Sequence, residues 1–203
     1  MALEKSKNLS SSFLEKIRSK EDIFFKKVRR NTKETYLNLN GGAKVLKGFI
    51  NIDPYYSDEY VFNYYLGKLP FKDSSVSGIY CSFLMDNLPR SKGRIYFKEW
   101  YRVLEKDGGV LLLTIPDISK LMKSVLDPTL SDSKRRWFSY LLSGNISLLL
   151  GEESIPLDMS IPHNDYFTKS SLLDYLWYSN FKVKNLFSYE SENGPSLWVE
   201  AYA

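Results

Sequence analysis

Two residue types are close to absent. Cys81 is the only cysteine and His163 the only histidine in 203 residues. A lone cysteine forms no intramolecular disulfide and no thiolate metal cage, and a lone histidine leaves a histidine-rich centre without ligands, so no metal site is expected. No apolar run approaches the roughly 20 residues of a membrane span, and none at the start has the form of a signal peptide. The expectation is a cytoplasmic, reducing compartment. Acidic residues are scarce at the beginning: residues 1–33 hold ten Lys/Arg against four Asp/Glu, so the net charge of +4 divides into +6 there and −2 on the rest. Such asymmetry marks nucleic-acid or anionic-membrane contact in some proteins and a solvated helix face in more of them. No nucleic-acid partner is expected; peripheral contact with a membrane stays as the minor alternative. Aromatics, by contrast, are rich at 15%, with fifteen Tyr and twelve Phe, which suggests an apolar pocket or an adhesive surface.

The length suits one domain, 1–203, with a single core. Ser12 followed by Glu15 matches a capping box, and Phe13, Leu14, Ile17, Phe24 and Val28 recur at helical spacing. The basic first helix therefore runs within residues 1–33, with an apolar stripe suited to docking on a sheet. Strands are expected at Tyr36–Leu39, Phe49–Ile52, Tyr60–Asn63, Val76–Ser82 and Val110–Ile115. The last of these is almost continuously apolar, as a strand buried on both faces should be. A helix from Ser91 to Lys106, stopped by Asp107-Gly108-Gly109, precedes it. Helical segments near 117–126, 132–143 and 169–179 lead to strands at Phe181–Phe187 and Ser196–Ala203. Alternating strands and helices argue for an α/β fold with a mostly parallel sheet. One spacing objects: nine residues separate Leu39 from Phe49, whereas a parallel crossover usually takes about a dozen or more.

Ligands of such sheets bind beyond the carboxyl ends of the strands, beside Gly-rich turns and acidic strand ends. Asn40-Gly41-Gly42 follows the first strand, Asp53 ends the second, and Cys81 to Asp86 closes the fourth. Each has a plainer reading. Asp53 before Pro54 suits a turn, Asp86 a loop cap, Asp117 a helix cap, His163 an exposed loop, and Cys81 a small buried apolar residue. Trp137, Phe138 and Tyr140 suit core or lid packing.

Leu37-Asn38-Leu39-Asn40-Gly41-Gly42, then Gly48-Phe49-Ile50-Asn51-Ile52-Asp53, then Leu69-Pro70-Phe71-Lys72-Asp73-Ser74-Ser75-Val76, form an ordered series. Glu99-Trp100-Tyr101-Arg102-Val103-Leu104, Gly108-Gly109, Thr114-Ile115-Pro116-Asp117 and then His163, Phe167, Leu172 and Phe181 continue it. Over residues 35–203 the chain resembles the class I S-adenosylmethionine-dependent methyltransferases, most closely the short type 11-like group often encoded beside surface-polysaccharide genes. The resemblance implies a Rossmann-like, doubly wound, mostly parallel seven-stranded sheet with an antiparallel last strand. It implies S-adenosylmethionine as cofactor, held by Asn40, Gly41, Gly42, Asp53, Tyr65 and Phe83. Here Asn40 replaces the family's first motif glycine, Tyr65 an acidic residue near the adenine, and Phe83-Leu84-Met85-Asp86-Asn87 a His-x-x-Glu-His. The implied reaction is methyl transfer to a hydroxyl or similar nucleophile on a small or sugar-like acceptor, with His163 or Asp86 as base and 118–165 as lid or acceptor region. The altered cofactor positions motivate the alternative, a non-catalytic protein that keeps this fold as a binding or interaction module.

Overall fold

The computed structural model describes residues 24–25, 33–143, 166–191 and 194–203. Its strands are β1 Tyr36–Leu39, β2 Ile50–Asp53, β3 Val61–Asn63, β4 Gly78–Ser82, β5 Val110–Pro116, β6 Lys182–Ser191 and β7 Gly194–Tyr202. The helices are α1 Arg90–Val103, α2 Ile118–Val125, α3 Asp132–Ser143 and α4 Lys169–Tyr178. All seven strands join one sheet in the order β3-β2-β1-β4-β5-β7-β6. β1 to β5 pair in parallel, and β7 runs antiparallel to both β5 and β6. This is the expected doubly wound topology with an antiparallel last strand.

Side chains alternate between the faces of a strand, and the two faces are covered differently. Leu37, Leu39, Ile79, Cys81, Leu111, Leu113 and Ile115 lie in one core with Phe97 and Trp100 of α1 and Leu172 and Leu176 of α4. The opposite face carries Tyr36, Leu112 and Trp198, and Phe24 packs against them. Phe24 is helical and meets Tyr36 edge-on at 5.5 Å and Phe49 at 5.9 Å. Gly78 makes room for it, since a Cβ there would stand 2.9 Å from both the Phe24 and Tyr36 rings. Phe13, Leu14, Ile17 and most of the expected first helix lie outside the described residues. Among the described residues no helix is long and apolar enough to cross a membrane.

The helix expected over 91–106 ends earlier, at Val103. Leu104 is extended and bridges Val76, and the Glu105 N–H donates to the Val76 carbonyl at 2.9 Å. Sheet pairing thus competes successfully with the last helical turn. The Gly108 turn (φ +111) then only redirects the chain into β5. Val76 serves that bridge, so β4 begins at Gly78.

The short β1–β2 connection is solved by side chains. Asn38 and Asn51 are buried on adjacent strands. Asn51 Oδ1 accepts from Asn38 Nδ2 and from the Leu46 N–H, both at 2.9 Å. Its Nδ2 donates to the carbonyls of Leu46 (3.3 Å) and Phe49 (3.2 Å), while Asn38 Nδ2 also reaches Lys44 O at 3.2 Å. Every donor and acceptor of the Asn51 amide is used. The two asparagines hold loop 40–49 against the sheet without a crossover helix. Asn51→Ala leaves these backbone groups without partners, so urea unfolding should show a loss of about 2–3 kcal/mol. A loss below about 0.5 kcal/mol would mean that water replaces the amide at no cost.

Candidate functional site

The strand order reverses between β1 and β4: from β1 the chain passes to β2 and β3, then returns to β4 on the other side. Asn40 and Phe83 follow the carboxyl ends of those strands, and both are left-handed, with φ of +63 and +52. That conformation costs most non-glycine residues about 1–2 kcal/mol, is tolerated by Asn, and is a clear outlier for a bulky residue such as Phe83. Both are tied down. The Asn40 N–H donates to Ile52 O at 2.9 Å and the Phe83 N–H to Thr114 O at 2.9 Å. The Phe83 carbonyl accepts from Asn87 Nδ2 at 3.2 Å and, across the crevice, from Asn40 Nδ2 at 3.4 Å.

Gly41 and Gly42 do different work. A Cβ on Gly41 would lie 2.5 Å from Asn38 Nδ2, so this glycine lets the loop close over the asparagine pair. Gly42 (φ +52) has open space where a Cβ would stand. Its N–H donates to Asp53 Oδ2 at 2.9 Å. Asp53 is buried, and its Oδ1 accepts from the N–H groups of Tyr55 (2.8 Å) and Tyr56 (2.9 Å). The carboxylate therefore joins the loops after β1 and β2 while also shaping the turn its place before Pro54 suggested.

The next strand, β3, leads into an aromatic contact. Gly67 lets the Tyr65 ring fold back, since a Cβ there would lie 2.7 Å from it. Tyr65 meets Tyr96 of α1 edge-on at 5.5 Å. Burial, then the neighbouring Tyr65 and Tyr55, push the Tyr96 hydroxyl up to about 12. On the other side, Asp86 is buried in a 3-10 turn, Met85–Asn87. Burial first, then the Asp86 and Asp53 charges, hold the Cys81 thiol well above its ordinary range, so it stays protonated as a small core residue. Asp117 caps α2 through the Lys120 N–H and accepts from the Ser188 hydroxyl.

Asn40, Gly41, Gly42, Asp53 and Phe83 thus gather along one edge, Tyr65 follows the end of β3, and Asp86 lies in the turn after Phe83. His163 lies outside the described residues. Sequence reasoning missed Asn38 and Asn51, whose signal was a polar residue inside each apolar strand. It also missed Tyr96, which only the fold brings against Tyr65.

No protein-family model and no curated protein matches the chain, but solved structures do. A SAM-dependent methyltransferase from Methanosarcina mazei is similar at a TM-score of 0.52 and 16% identity, over 84% of this chain and 93% of that one. An S-adenosylmethionine-dependent methyltransferase from Mesorhizobium loti is similar at 0.52 and 14%, over 84% and 91%. A protein from Pyrococcus horikoshii is similar at 0.54 and 14%, over 94% and 90%. With the strand order, these likenesses define the fold as that of the class I methyltransferases.

Proposed function

We propose that this carboxyl edge binds S-adenosylmethionine and that the chain transfers its methyl group to a hydroxyl or similar nucleophile on a small or sugar-like acceptor, in the cytoplasm. The carrying observation is the switch-point crevice, where Asn40 and Phe83 hold left-handed backbone opposite one another, at a cost for Phe83. Such outliers concentrate at ligand sites because the surrounding structure must maintain them. The residues present suit the cofactor in part. The open space at Gly42 suits its methionine end, the Asp53 carboxylate its ribose, and the Tyr65 ring can stack on adenine where a carboxylate would have accepted the amino group. A carboxylate offers about four acceptor positions, and backbone amides take three at Asp53, so one ribose hydroxyl fits without rearrangement. The sulfonium supplies an activated methyl group; the protein then has to align the acceptor and take up one proton. Asp86 and His163 are the proposed bases, and 118–165 the acceptor side. A role in surface-polysaccharide synthesis follows from the resemblance alone.

The crowded Asp53 carboxylate favours a second reading, a non-catalytic module on the same fold. Calorimetry with S-adenosylhomocysteine separates the two. We expect measurable binding, weakened about ten- to a hundredfold by the missing acidic residue at Tyr65. No heat up to millimolar ligand, with the protein folded by circular dichroism, selects the module.

A further inference from the structure

Among the described residues, β3 closes one side of the sheet and pairs only with β2. Tyr60, Phe62 and Tyr64 are 62, 64 and 42% exposed, whereas Val61 between them is 3% exposed. Residues two apart along a strand share a face, so the three rings form a row on the outermost strand. The Tyr64 N–H donates to Asp53 O. Even-numbered residues here therefore turn their backbone groups toward β2, while Val61 and Asn63 turn theirs outward. The Val61 carbonyl is met by the Asp58 N–H at a long 3.3 Å. Residues 60–65 contain no charge and no proline. Soluble proteins guard open edges with those devices, and an uncharged, β-prone edge is an aggregation hazard unless something covers it.

We propose that β3 pairs with β3 of a second copy of this chain, antiparallel about a two-fold axis at Phe62, so that two sheets become one. Tyr60-Val61-Phe62-Asn63-Tyr64 is nearly palindromic in chemistry. An axis at Phe62 sets Tyr60 against Tyr64 of the other copy and Phe62 against its own mate. The outward groups of Val61 and Asn63 then bond each other reciprocally, and Phe62 falls at a non-hydrogen-bonded position, where paired side chains lie closest. Charge selects the same arrangement. Asp58 and Glu59 precede the row and Lys68 follows it. Antiparallel pairing brings the acidic end of one copy toward the basic end of the other, whereas parallel pairing sets like beside like. An aromatic side chain covers roughly 150–250 Å², so the exposed fractions amount to about 300 Å² per copy. The pair buries at most about 600 Å² of ring surface before the backbone and neighbouring Tyr56 are counted. That is the scale of a weak interface and predicts a concentration-dependent dimer rather than an obligate one.

Sedimentation velocity on the full chain over a wide concentration series should show the mass rising toward two chains. Phe62→Lys sets two charges face to face across the axis and should weaken association by more than about tenfold. Trp177→Lys, at a 70% exposed aromatic elsewhere, should leave it unchanged. Mild oxidation of Phe62→Cys should give a disulfide-linked dimer, because the closest cross-strand positions come within bonding range. The other thiol, Cys81, is buried, and Trp177→Cys should give none. A monomer at every concentration, a dimer indifferent to Phe62→Lys, or no cross-link at position 62 would each overturn the proposal.

Discussion

Asp53→Ala should lower stability by about 2–4 kcal/mol and remove whatever cofactor affinity the wild type has. Three backbone N–H groups converge on this carboxylate, from Gly42 at 2.9 Å, Tyr55 at 2.8 Å and Tyr56 at 2.9 Å. Bonds to a charged acceptor contribute about 1.5–3 kcal/mol each, and the total is reduced because Tyr55 is exposed and water can reach its turn. Asp53→Asn isolates the part that matters for the crevice. Its carbonyl oxygen can still serve Tyr55 and Tyr56, but the amide nitrogen then faces the Gly42 N–H, donor against donor. We expect that variant to stay folded, to lose about 1–2 kcal/mol in urea unfolding, and to bind S-adenosylhomocysteine at least about tenfold more weakly. Stability unchanged in both variants would show that loop 40–42 does not depend on Asp53. Equal affinities would remove Asp53 from the proposed ribose contacts.

The fold was largely legible because its signals are local. β5 announces itself by an unbroken apolar run, and loops 72–75 and 107–109 by their turn residues. The resemblance carried the antiparallel last strand, which periodicity alone does not orient. Where sequence reasoning overshot, at 104–106, a helical pattern was overruled by pairing with Val76, a partner 28 residues away that no helical window contains. Several of the candidate residues could be named from sequence as lying at strand ends, but how they divide the structural work could not. Gly41 and Gly42 look equivalent in sequence, yet one accommodates Asn38 and the other faces open space. The aromatic contact joins Tyr65, after β3, to Tyr96 of α1, residues 31 positions apart. The asparagine pair stands where a parallel crossover usually carries a helix, and its two members belong to different strands. These features depend on register between strands, which a one-dimensional reading does not supply.

Arg102→Leu should be the other severe substitution, and its cost should depend on pH. Arg102 donates through Nε to Glu99 Oε2 at 2.8 Å and through Nη2 to Oε1 at 2.6 Å. It also reaches the carbonyls of Phe71 (3.0 Å) and Leu69 (3.3 Å) and the Asp73 carboxylate (2.6 Å). Glu99 accepts the Leu69 N–H at 2.6 Å, so the pair clasps the Leu69–Asp73 turn to α1. The Glu99 side chain is only 11% exposed, against 33% for Arg102. Burial works to raise the Glu99 pKa, but the Arg102 and Leu69 hydrogen bonds and the Arg102 charge outweigh it and hold it below the ordinary 4.5. A depressed folded-state pKa contributes stability above the unfolded value and loses it as pH falls. Removing the guanidinium leaves burial in control, so the Glu99 pKa rises and its charge becomes a liability at neutral pH. The variant should therefore lose about 2–4 kcal/mol at neutral pH, a range lowered from that of a fully buried pair because Arg102 is one-third exposed. The gap should narrow as pH falls through about 4.5, where Glu99 of the variant is already protonated and the wild type is losing its own contribution. Adding Glu99→Gln to Arg102→Leu should recover part of the loss at neutral pH. Urea unfolding of the three proteins at neutral pH and near pH 4.5 tests this. A gap that does not change with pH would assign the clasp to the Leu69 and Phe71 carbonyl bonds rather than to the ion pair.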